Sequence, residues 1–212
     1  GGDCIVDVTK DGDNNYSPAQ TSVTVKIAKS DQDPLSLTAD DQTLTYDKNS
    51  PVSTLLDVTG GSGTGEISYA VSPSSAAICS LDGAIVNVLR PGNCVVTATK
   101  AADGFYNSAS TSVTITINKA EQESLIWKIT PGQPETPQWN DKNSTQVIIT
   151  GGDGYGALST NALTPTICSI TLVGQRVNIT ALREGECEFT VIKAGDYAFN
   201  ASAALTVSVE IA

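Results

Sequence analysis

The residues of this chain that could do chemistry are five cysteines, a glycine run with its backbone N–H groups and a recurring Asp-x-x-Tyr pair. Cys79 with Cys94, and Cys168 with Cys187, occupy matching places about 90 residues apart. Neither spacing resembles the paired C-x-x-C knuckles of zinc or redox sites, so both pairs are expected to form short-range disulfides of an oxidising, extracellular compartment. Cys4 is left over, its partner expected about 15 to 20 residues upstream or on a neighbouring chain. The run Gly60 to Gly65 invites a phosphate-loop reading, but such loops end in Lys-Ser/Thr and open a helix. Here Glu66 follows and a strand pattern begins, so a tight inter-strand turn is expected.

With 0 histidines, the usual general base at neutral pH is missing, and no serine has a base to activate it. No pair of carboxylates is marked for hydrolysis, no cofactor or metal site is expected, and the chain is read as non-catalytic. Asp31, Asp33, Asp40 and Asp41 flank a short linker, but without a D-x-D-x-D-G loop they read as solvated surface acids. The net charge of −11, with 12 scattered basic residues, excludes a nucleic-acid partner. No segment approaches the roughly 20 apolar residues that span a bilayer as a helix.

The elements that must position these groups are strands. Hydrophobic residues make up 40% of the chain and aromatics only 5%, a composition suited to thin sandwiches of Val, Ile and Leu. From Leu35 to Asn118 seven short runs succeed one another: Leu35–Tyr46, Val52–Val58, Glu66–Ser72, Ala76–Leu81, Ala84–Leu89, Asn93–Lys100 and Ser110–Asn118. In the last, Val113, Ile115 and Ile117 alternate with Thr114 and Thr116, as a half-buried strand requires. The plan returns after Ser124, ending in Leu205, Val207, Val209 and Ile211.

One stretch is written three times: Gly2 to Lys10, Gly92 to Lys100 and Gly185 to Lys193, each with cysteine third. The resulting boundaries are residues 1–29 as the last two strands of a partial copy, 30–119 as a complete copy and 120–212 as a complete, divergent one. The linkers Lys29 to Pro34 and Lys119 to Ser124 are short and lack flexible glycine spacers, which favours a semi-rigid, extended row. The absent methionine and the half-copy at the start lead to the expectation that the sequence is an excerpt of a longer array.

The order Gly-x-Cys, then Asp-x-x-Tyr, then alternating Val and Thr, then Lys-x-(Asp/Glu)-Gln resembles the bacterial immunoglobulin-like domains of large secreted surface proteins and adhesins. Gly-Gly-Ser-Gly-Thr-Gly-x-Ile-Ser-Tyr at Gly60 to Tyr69 strengthens the likeness, which covers essentially the whole chain. It implies all-β immunoglobulin-like sandwiches of about seven strands, export to the bacterial cell surface, and service as stalk or adhesive modules without catalytic residues. The Asp-x-x-Tyr pairs are expected to be loop staples: Asp13 and Asp103 cap backbone N–H groups, while Tyr16 and Tyr106, by analogy with the tyrosine corner of this fold class, plug the end of a sandwich through ring and hydroxyl. In the last copy Phe199 replaces them.

Three functions fit these residues. The first is a spacer, whose partners are neighbouring copies of the same fold. In the second, the divergent last copy is an adhesive unit: Trp127, Trp139 and Tyr155, exposed together, would form a platform for a surface glycan or protein, although a repacked core is the preferred reading of these rings. The third is a filament of identical chains, with residues 1–29 completed by strand addition from a neighbour and Cys4 bonded across chains.

Overall fold

The computed structural model describes residues 1–140 and 144–212, which are strand and loop apart from one 3-10 turn at Pro73–Ser75. The strands are β1 (Gly2–Lys10), β2 (Ala19–Ile27), β3 (Leu35–Ala39), β4 (Thr43–Thr45), β5 (Ser53–Gly60), β6 (Ile67–Val71), β7 (Cys79–Asp82), β8 (Ile85–Val88), β9 (Gly92–Lys100) and β10 (Ala109–Asn118). They continue with β11 (Leu125–Ile129), β12 (Ser144–Gly151), β13 (Leu158–Ala162), β14 (Cys168–Val173), β15 (Arg176–Ala181), β16 (Gly185–Lys193) and β17 (Leu205–Ile211). Two compact units result: Gly1–Leu44 with Lys48–Ile117, and Thr45–Asp47 with Asn118–Ala212.

In the first unit, sheet order β3-β5-β8-β7 faces sheet order β4-β10-β9-β6. With the strands lettered in chain order, and β3 and β4 sharing the first letter, these are the ABED and CFG sheets of an immunoglobulin sandwich, the second extended by β4. The run Leu35–Tyr46, read above as one strand, is two strands in opposite sheets. The chain breaks at Asp40 and Asp41, where the Asp40 N–H donates to the Leu55 carbonyl at 3.0 Å and the Asp41 N–H to Thr54 Oγ1 at 2.9 Å. Two adjacent aspartates disfavour continued strand, and their N–H groups find partners that redirect the chain. The second unit has sheets β11-β12-β15-β14 and β13-β16-β17. No described residue of the second unit forms a β4 counterpart; there the Trp139 N–H donates to the Ala212 carbonyl at 3.0 Å and the Ala212 N–H to the Pro137 carbonyl at 3.2 Å.

Alternation of β-branched residues decides which face goes inside. In β10, Val113, Ile115 and Ile117 are buried and the intervening threonines exposed; in β16, Cys187, Phe189 and Val191 are buried. Between the sheets of the first unit lie Leu37, Leu56, Val86, Val96 and Ile115. The second core gathers Val147, Ile149, Val177, Ile179, Phe189 and Ile211.

Residues 1–29 form only the antiparallel hairpin β1–β2, a two-stranded sheet in which every residue is exposed. Its register pairs Cys4 with Val25, as Cys94 pairs with Ile115 and Cys187 with Val209.

Burial at these positions sets the expected cost of truncation. Ile179→Ala, at a fully buried site, should destabilise the second unit by about 2–5 kcal/mol in chemical denaturation. Ile126→Ala, at a site 61% exposed, should change stability by about 0.5 kcal/mol or less. Equal losses would contradict the assigned faces.

Candidate functional site

The glycine run and the Asp-x-x-aromatic pair converge where β9 runs into β10, and again where β16 runs into β17. Asp103 opens the first loop. Its Oδ1 accepts the N–H groups of Phe105 at 2.8 Å and Tyr106 at 2.9 Å, so the short side chain turns the backbone back on itself. Its Oδ2 reaches across to the glycine run and accepts the Thr64 N–H at 2.7 Å. Asp196 repeats the arrangement with Ala198 and Phe199 on one oxygen and Tyr155 at 2.8 Å on the other. One carboxylate thus clasps two loops that belong to different parts of the sequence.

Glycine is required for the approach. Gly63 has φ +69°, and a Cβ there would lie 2.0 Å from Asp103 Oδ2; at Gly154, with the same φ, it would lie 2.2 Å from Asp196 Oδ2. The aromatic ring after each aspartate packs on that glycine, its Cδ2 2.8 Å from the hypothetical Cβ for Tyr106 and 3.0 Å for Phe199. The loop therefore has the N–H-rich character of an anion nest, but the protein's own carboxylate fills it. The tyrosine-corner expectation needs correction in two respects. The ring lies after the cysteine strand, between β9 and β10, not at its start. The work common to both copies is done by ring and carboxylate, since Phe199 fills the position without a hydroxyl.

Hydrogen bonding to the ionised form holds the Asp103 carboxyl at about 2, below its ordinary 3.8, with Thr64 the largest cause, then Phe105 and Tyr106. Asp196 is lowered likewise by Tyr155 first, then Ala198, with smaller help from Phe199 and the Lys119 charge.

The linkers are bound into the sandwich that follows them. Ser30 bridges Tyr106, and Gln32 Nε2 donates to the carbonyls of Ala101 at 3.2 Å and Asn107 at 2.7 Å. In the second unit Ala120 bridges Phe199, and Gln122 Nε2 donates to Ala194 at 3.0 Å and Asn200 at 2.7 Å. Asp31 accepts from Asn107 Nδ2 at 2.9 Å, and Glu121 from Asn200 Nδ2 at 2.7 Å. Asp31 and Asp33, read above as solvated acids, thus have structural partners: Asp33 Oδ2 accepts from Ser62 Oγ at 2.9 Å. Among the described residues no group of three His, Cys, Asp or Glu side chains converges as a metal site would require.

At the opposite end of β9 and β16 lie the disulfides. Cys79–Cys94 ties β7 to β9 and Cys168–Cys187 ties β14 to β16, each linking one sheet to the facing one, with Cα atoms 5.9 and 5.6 Å apart. Beside each sits a hydroxyl four residues before the first cysteine. Ser75 Oγ donates to the Asn93 carbonyl at 3.0 Å and accepts the Val95 N–H at 3.1 Å. Thr164 Oγ1 does the same with Glu186 at 3.1 Å and Glu188 at 2.8 Å. Sequence reading missed these hydroxyls and the Asn after each aromatic; the repeated offset from cysteine and from Asp-x-x-aromatic was the available signal. Cys4 is a free thiol, exposed on β1.

Trp127, Trp139 and Tyr155 are not brought together. Trp127 lies on β11, partly buried against the second core. Tyr155, 89% exposed, lies on the glycine loop at the Asp196 end, over an open pocket of about 490 Å³ bordered by Leu158 and Leu172. Trp139, 44% exposed, lies by the end of β17 with Leu182, Arg183 and Glu184. A platform of all three rings is therefore excluded.

No family model matches the chain, and no curated protein matches it. Among solved structures, protocadherin gamma B7 extracellular cadherin domains 1–4 align at 11% identity over 99% of this chain and 57% of that one, with TM-score 0.41. The D00-D0 domain of intimin aligns at 14% identity over 84% of this chain and 100% of that one, TM-score 0.34. S-layer protein SbsC domains 4 and 5 align at 16% identity over 86% and 99%, TM-score 0.28. The chain spans 57% and 60% of the length of the two protocadherin chains it aligns with, gamma B7 domains 1–4 and gamma B2 domains 3–6.

A carboxyl with a lower pKa in the folded state lends stability that is complete above its unfolded value and is lost as pH falls through its folded value. Asp103 accordingly contributes fully above about pH 4, and its contribution disappears towards pH 2. The thermal midpoint of the first unit should fall across that window. In Asp103→Asn it should start lower at neutral pH and decline less; parallel curves would refute the clasp.

Proposed function

We propose that this chain is a non-catalytic structural and adhesive module of an extracellular bacterial surface protein, in which immunoglobulin-like sandwiches serve as a semi-rigid spacer. The observation that carries this reading is the kind of group that recurs. Disulfide, hydroxyl pin, aspartate clasp and linker glutamine occur at matching places in both sandwiches, and every one of them fastens strand to strand or loop to loop. Disulfides between facing sheets suit an oxidising exterior and a chain that bears load. Acidic surfaces favour solubility and mutual repulsion of neighbours.

A second reading is favoured by one specific feature, Trp139. Its exposed ring beside Arg183 and Glu184 offers an apolar face next to charged groups, the chemistry of a sugar or protein contact.

Pulling the chain by its ends tests the spacer. Two high-force unfolding events are expected, each shortened by the loop its disulfide locks, of separation 15 and 19. Reduction should lengthen them by about 50 and about 65 Å. A chain that yields without two discrete events would overturn the spacer reading. Retention on a glycan or matrix-protein array, abolished by Trp139→Ala, would establish the adhesive reading instead.

A further inference from the structure

The hairpin β1–β2 has the shape of a closing strand pair with nothing to close. Its nine register pairs superimpose in sequence on those of β9–β10: Cys4, Val6 and Val8 stand where Cys94, Val96 and Ala98 do, and Val23, Val25 and Ile27 where Val113, Ile115 and Ile117 do. The five aliphatic side chains of the hairpin set are 44–58% exposed, whereas their five counterparts are 0–9% exposed. The loop is preformed as well. Asp13 Oδ1 accepts the N–H groups of Asn15 at 2.7 Å and Tyr16 at 2.9 Å, the same turn that Asp103 makes, while the Tyr16 ring is 76% exposed.

The complete sandwiches define what fits this surface. β9–β10 is covered by the sheet containing β7, paired along one edge by β6 and along the other by β4, and bonded through Cys94 to Cys79 on β7. We infer that β1–β2 is a docking element for an immunoglobulin-like half-sandwich of this same kind, which carries a cysteine in the place of Cys79 that bonds to Cys4 and a glycine loop that receives the second Asp13 oxygen. A second hairpin of an identical chain fits less well. Two nine-residue strands present a face of roughly 300 Å², well short of the roughly 800 Å² per partner of a stable interface. The half-sandwich adds hydrogen bonding along both open edges to that face. This inference stands apart from the spacer reading, which concerns the two complete sandwiches.

Closing the bond removes two electrons and two protons from two thiols; glutathione disulfide takes them up and becomes two glutathione thiols. The test joins a duplicate of residues 30–91 directly to Gly2, which restores the 15-residue cysteine spacing of the first sandwich, and refolds the extended chain in a glutathione redox buffer. Disulfide mapping is expected to find Cys4 bonded to the added copy of Cys79, and maleimide labelling of Cys4 without denaturant should slow at least 100-fold against the original chain. The extended chain carrying Cys4→Ser should still show one more cooperative transition in calorimetry than the original chain, because face and edges close without the bond. Cys4 labelled at the original rate, with no added transition in either extended chain, would overturn the inference. A Cys4–Cys4 dimer of the original chain with slowed labelling would overturn it too, by making a second copy the occupant.

Discussion

The fold depends on the closure of a two-stranded ribbon over a facing sheet. A hairpin by itself buries one side of nothing and leaves two rows of backbone groups open, so it is marginal in water. β9–β10 and β16–β17 become core only because a second sheet lies across them and a further strand pairs along both edges of the first and along the β16 edge of the second. Each is fixed at both ends: a disulfide and a hydroxyl pin where the ribbon begins, an aspartate clasp where it turns. A disulfide closing a loop of about 15 residues contributes on the order of 3 kcal/mol by the chain-entropy model. That is a large fraction of the stability of a small domain.

This constraint explains the economy of the sequence. With few aromatics, each core relies on β-branched side chains in strict alternation, and a shift of one residue would expose the whole set. The fasteners hold register where packing alone would do so weakly. The glycine loop illustrates it: its φ > 0 residues and missing side chains let the backbone come within hydrogen-bonding distance of a carboxylate that is itself locked by its own loop.

Strand faces were legible in the sequence because period two is a direct imprint of burial, as at Val113, Ile115 and Ile117. The cysteine strand was legible because it is written three times. The break at Asp40 was not, since an apolar run flanking two aspartates resembles one strand until the partners at Leu55 and Thr54 are known. The clasp was half legible: Asp-x-x-Tyr marked a loop staple, but the second oxygen's reach to Thr64 joins residues 39 apart. Trp127, Trp139 and Tyr155 were grouped by proximity in sequence, yet strand topology sends them to the core and to opposite ends of the second sandwich.

The ribbon is stable because it is covered, not because of its own sequence. Native-state amide exchange, resolved by residue, compares three ribbons of one register in one molecule. Strong protection is expected at Val96 and Phe189, and exchange near the unfolded rate at Val6. Equal protection at all three would contradict it, by showing that the hairpin needs no facing sheet.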